Sequence, residues 1–489
     1  MLLYAGLLAT GLTASSPYST CPRPRCMSAA MAVASIQSVP GTPGSQDEKD
    51  FCGDPAGFST KGLRTHGPVF STGVAGGAVF VGDAASLTAL SSAPVDVATP
   101  TDGSSVMELA APFAPSAAVD NAADDLFVEH AEAFNKVVYD ELFLWIPRYK
   151  EAGFQTFRFE DFIDGRVRRL LPSVRLLVLH AASPVLFGVP YAELPQQLGF
   201  ENKAALDKAY GAHAAKVRPA KMTEMFSMPS LYDLEGSAAT IGGDTNKLRE
   251  GLAAYARKRG GGGDGDAELW QLTSSVEQTA ALVCNMLAAA KAHPECLAVL
   301  ESEQAAILKG TTPTCAITSA MLEDMPQLDA YARETMRVYP PSRPARVRLA
   351  QPTEIPLSSG GALELPAGAL VAPEPFVARG AVERAEAFSP ARFADAASAP
   401  TLLPFGSATR AGGGGVGVGI DAAGSRLAVS MSKATYVQMR RMFDEIILGQ
   451  SPPPIPAGCP VHTIGEKIEV LCKPKMFYEL QRGVKQLKF

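Results

Sequence analysis

From about Asp50 the chain alternates between short β-rich runs and longer stretches with helical spacing. Pro68–Thr72 and Ala78–Gly82 hold β-branched and aromatic residues parted by glycines, which predicts a hairpin. Residues 93–124 are rich in Ala, Ser, Pro and Asp without a period, and predict a loop or weak helices. Between 125 and 215 apolar residues return at helical intervals, as in Phe127, Ala131, Phe134, Val137 and Val138. Arg259 to Gly265 is a glycine run that reads as a flexible linker. After it, Ala267 to Lys291 predicts one long helix with apolar residues on most faces, hence a helix buried in the middle of a domain. A further helix precedes Pro340, and strands punctuated by Pro and Gly run through residue 372. A final long helix is predicted from Ser425 to Leu448.

Composition sharpens this picture in three ways. The 489 residues suggest two or three domains by length alone, and 47% apolar content supplies a large core. A net charge of −6, with no dense Lys/Arg block, gives no footing for a nucleic-acid partner. Of the eight cysteines no two have CxxC spacing, so neither a zinc site nor a disulfide framework is indicated, and reduced thiols in a cytosol-like or stromal compartment follow. The leading residues read differently from the rest. Leu2 to Ala14 are apolar and uncharged, a Ser/Ala/Pro-rich stretch with Arg23 and Arg25 follows, and no acid precedes Asp47. Residues 1–45 therefore read as a targeting or anchor segment, with a short h-region ahead of a transit-peptide-like stretch. The expected destination is a plastid; a microsomal anchor in the endoplasmic reticulum membrane is the alternative. No other segment reaches transmembrane length, so the body is expected to be soluble or peripherally attached.

The chemistry-bearing pattern begins at Met325–Pro341, where Glu334 and Arg337 stand three apart on a predicted helix and share a face. Such a pair is common, and Glu479 with Arg482 is a second, accidental instance. About fifty residues on stands Phe388-Ser389-Pro390-Ala391-Arg392-Phe393. Other landmarks keep a fixed order: Thr65–Phe70, His293-Pro294-Glu295, Leu363–Val371 and Leu403–Arg410. In this combination the chain resembles the cytochrome P450 (haem-thiolate) family. The resemblance implies one domain over residues 50–489, a mainly α fold with a smaller β region (α+β), and a long central buried helix. It implies a structural triad of Glu334, Arg337 and Arg392, in which two guanidiniums answer one buried carboxylate. It also implies haem as cofactor, with Phe405 and Arg410 in the haem-binding loop and Arg410 toward a propionate.

At the ligand position the sequence departs from the family. Two residues after Arg410 the family places the cysteine whose thiolate binds iron, and Gly412 stands there. If the register is set instead from Gly424–Ala428, the ligand position becomes Ala422, and the loop carries about ten extra residues by this counting. No cysteine lies between Cys315 and Cys459, and the loop offers no His, Tyr or Met. Without a thiolate, iron lacks the electron push that favours O–O cleavage. The glycines fit neither a Walker nor a dinucleotide loop, so a loosened, inserted loop is expected. On the distal side, Ser274–Thr279 matches the family's oxygen-activating segment: Glu277 keeps the acid, Gln278 replaces the hydroxyl, and Thr279 follows. A polar notch satisfied by backbone is the other reading of these residues.

Two functional readings remain open from sequence. One is a haem-dependent oxidoreductase: a monooxygenase, or a plastid hydroperoxide-rearranging relative, acting on a small hydrophobic, lipid- or terpenoid-like substrate. A ferredoxin or reductase would then donate electrons. The other is a non-catalytic protein that keeps the fold and binds a hydrophobic ligand or a partner.

Overall fold

The computed structural model describes residues 36–41, 43–74, 77–92, 98–100, 117–146, 168–216, 243–260, 265–312, 314–339, 341, 347–380, 387–394, 409–411, 415–417, 423–449 and 468–475. Helices dominate, and the longest lie together: Ala117–Phe143, Leu170–Phe187, Asp266–Ala292 and Ala423–Met442. The central helix Asp266–Ala292 is buried on all sides, with Val276, Ala280, Leu282, Val283, Met286 and Ala289 at 0% exposure. A helix with this pattern can lose its hydration only inside a bundle. Leu170–Phe187 is long and apolar enough to cross a membrane, but most of it packs into the same core. Gly265 begins the central helix at φ +91°, and a Cβ there would meet the Arg249 carbonyl oxygen at 2.1 Å. The last glycine of the linker thus serves a backbone approach that no larger residue permits.

The β region gathers chain segments far apart in sequence. A five-stranded sheet runs in the order Val69–Ser71, Ala78–Val81, Leu370–Pro373, Val347–Leu349 and Ala98–Pro100. Its first two strands form the predicted hairpin, with Phe70 opposite Phe80. Phe51 and Phe58 meet Phe80 edge-on and help close this small core. Ile36–Ser38 pairs with Ala362–Leu365, which pairs with Thr353–Pro356. The strands on either side of Pro366–Ala369 therefore belong to different sheets.

Two expectations shift. The period-free stretch 93–124 contains the start of the helix Ala117–Phe143. The final helix stops at Met442, and Phe443–Leu448 is a strand paired with Glu469–Pro474, whose far end pairs with Arg168–Arg169. Cross-strand pairing here overrides helical spacing, and Ile446 and Ile447 suit a pleated surface. The larger compact unit begins at Ile36. Ile36–Ser38 is held by its sheet, and the Pro40 carbonyl accepts from Ser71 N at 2.8 Å. The accidental pair Glu479 and Arg482 lies outside the described residues.

Candidate functional site

The helix Pro326–Val338 opens with proline, where a missing N–H costs nothing, and presents Glu334 and Arg337 on its buried face. Arg337 donates to both carboxylate oxygens of Glu334, at 2.7 and 2.8 Å, and to the Ala387 carbonyl at 3.0 Å. Ser389 N donates to Glu334 Oε1 at 2.7 Å, and Arg392 Nε lies 3.5 Å from the same oxygen. Arg392 also reaches the Ala387 carbonyl. One fully buried carboxylate thus gathers two guanidiniums and a backbone amide, which offsets its desolvation. Phe388 fixes the segment between these anchors: the His293 ring stacks on it at 4.2 Å, and Tyr331 meets it edge-on. Tyr331 donates to the Met286 carbonyl and Asn285 to the Tyr339 carbonyl, joining this clamp to the central helix.

The distal residues lie one to two turns earlier on that helix. Glu277 Oε1 sits 2.8 Å from Arg175 Nε, both side chains 5% exposed, and Tyr210 donates to the same oxygen at 3.3 Å. Arg175 comes from Leu170–Phe187 and Tyr210 from Lys203–Lys216, so the acid ties three helices together. One turn before it, Thr273 donates to the Leu269 carbonyl and therefore accepts from His213 Nε2 at 3.0 Å. Gln278 and Thr279 are buried as well. The Thr279 hydroxyl has no partner among the described residues, while its carbonyl accepts from Ser432 of the last long helix at 3.3 Å. The structure brings the Glu334 group together and joins Glu277 to partners that the sequence reading missed. Their signal was present: Arg175 is the one arginine inside a largely apolar helix, and a charge in that position needs a buried counter-charge.

In the glycine run, Thr409–Ala411 pairs antiparallel with Gly415–Gly417, placing Arg410 opposite Val416. The expected loosened loop contains a short hairpin. Phe405, Gly412 and Ala422 lie outside the described residues, as does the Arg410 side chain. The helix Ala423–Met442 begins directly after Ala422. Among the described residues no three His, Cys, Asp or Glu side chains form a group that could hold a metal ion. Of the described cysteines, Cys284 and Cys472 are buried, and burial pushes the Cys472 thiol up to about 12, away from thiolate character. Gly412 and Ala422, the two positions the resemblance offers for the iron's ligand, carry no donor side chain, which does not fit a thiolate-bound haem.

No curated protein matches the chain in sequence. A solved structure of the retinoic acid-bound cyanobacterial CYP120A1 matches with a TM-score of 0.57 at 16% identity, over 90% of this chain and 100% of that one. That likeness shows the fold. The sequence model of the family Cytochrome P450 matches residues 269–411, a span holding both the distal segment and the Glu334 clamp. The chain thus carries a segment matched by the Cytochrome P450 model within a fold similar to that of CYP120A1.

Proposed function

We propose that the chain is a divergent haem-dependent oxidoreductase of the cytochrome P450 type, acting on a small hydrophobic, lipid- or terpenoid-like substrate without thiolate-driven cleavage of dioxygen. The carrying observation is the intact clamp of Glu334, Arg337 and Arg392 within the segment that matches the family. Haem, when bound, would supply the redox chemistry. This chain's own residues bury the distal acid and hold three helices around it. The helix start at Ala423 favours the sequence register in which Ala422, rather than Gly412, takes the ligand position of the resemblance. A ferredoxin or reductase is the electron donor that fits this reading. A plastid is the compartment favoured by the composition of the first residues, with the endoplasmic reticulum membrane as the alternative.

One observation favours a second reading, a non-catalytic protein that binds a hydrophobic ligand or a partner. Glu277, the group that would relay protons, is closed into an ion pair with Arg175. Haem content and the ferrous–carbonyl spectrum separate the two. The first reading expects bound haem whose Soret band lacks the long-wavelength thiolate position. Protein that takes up no haem on reconstitution supports the second, and a thiolate-type band would overturn both. Ala422→Cys is expected to restore thiolate ligation and Gly412→Cys is not; the reverse would move the register.

A further inference from the structure

We propose that His180 is a proton-operated latch holding the helix Lys203–Lys216 against the central helix. His180 lies where Ala117–Phe143, Leu170–Phe187 and Lys203–Lys216 meet, apart from the site described above. Its Nδ1 is 2.8 Å from Glu141 Oε1 and its Nε2 is 2.9 Å from Asp207 Oδ1. A neutral imidazole has one N–H, so it can donate to only one of these carboxylates and must turn a lone pair on the other. Only the imidazolium satisfies both. Two further side chains complete the cluster. Tyr191 donates to Asp207 Oδ1 and stacks on the imidazole at 3.9 Å, and Lys203 Nζ stands 6.0 Å over the Tyr191 ring.

Burial works against a charged His180, but the hydrogen bonds and charges of Asp207 and Glu141 outweigh it, so its pKa lies above the ordinary 6.5. The side chains of His180, Glu141 and Asp207 are 11%, 25% and 24% exposed, leaving water a route to the proton. A folded-state pKa raised in this way gives stability that is complete below the unfolded value and is lost as pH rises through the folded one. The loss falls on a particular helix. Asp207 shares Lys203–Lys216 with Tyr210 and His213, which reach Glu277 and Thr273 of the central helix. Releasing Asp207 therefore loosens the element that covers the distal acid.

Hydrogen–deuterium exchange of the full chain, corrected for its intrinsic pH dependence, tests the latch between about pH 6 and pH 9. Exchange in residues 203–216 is expected to rise at least a few-fold across this range, while the clamp helix 326–338 stays level. His180→Gln should exchange fast at every pH, without the step. Parallel behaviour of the two helices, or a step that survives in His180→Gln, overturns the proposal. If that variant does not fold, Asp207→Asn decides: losing one carboxylate should move the step to lower pH, and an unmoved step refutes the latch.

Discussion

Two buried carboxylates, Glu334 and Glu277, are both answered by arginine, and the structures around them differ. Glu334 has a donor on each oxygen from Arg337, and it also holds the backbone of the Ala387–Arg392 segment. Glu277 meets Arg175 and Tyr210 at one oxygen and joins side chains on three helices. The first arrangement builds a loop; the second closes a helix junction. Around Glu334 one carboxylate gathers two guanidiniums and a backbone amide, while Glu277 is tied up in an ion pair with glutamine next to it in the chain.

The largest effect is expected at the clamp. Arg337→Ala leaves a fully buried carboxylate short of its bidentate partner, at a cost of about 3–5 kcal/mol. Urea denaturation measures it, and a soluble variant with an unchanged midpoint would remove the clamp from this account. At the helix junction, Glu277→Leu removes the carboxylate that Arg175 faces and should cost roughly 3 kcal/mol, but adding Arg175→Met should recover most of that loss. The same two-sided replacement of Glu334 and Arg337 should recover little, because Ser389 N and Arg392 lose the carboxylate too. Equal recovery at both places would erase the distinction between loop-building and helix-joining acids. The smallest effect belongs to Thr279→Val. Its hydroxyl is buried and has no partner among the described residues, so a methyl in its place should stabilise by up to about 1 kcal/mol. A clear loss of stability would mean that the hydroxyl has an unseen donor or acceptor.

The sequence made the clamp legible because it joins two local motifs at a fixed distance, and each motif carries its own signature. The central helix was legible from its length and its apolar residues on all faces, and it runs where expected. Arg175, Tyr210 and His213 escaped notice because their meaning depends on which helices become neighbours, which periodicity does not state. The strand Phe443–Leu448 was read as helix because its six residues suit either state, and only its partner Glu469–Pro474 decides. Ile36–Ser38 pairs with Ala362–Glu364, a distant partner that composition does not state.

That dependence on distant partners sets an order of events during synthesis. Leu170 N, at the start of the most apolar helix, donates to the Ile468 carbonyl at 2.7 Å, and Arg168–Arg169 completes its sheet on Glu469–Val470. The loop so closed spans roughly 300 residues, and its entropy must be met before the contact returns any energy. A nascent chain therefore presents Leu170–Phe187 to the cell long before the strand that finishes its N-terminal edge has left the ribosome. For that interval a helix apolar enough for a bilayer is only partly packed, which makes it a natural target for chaperones.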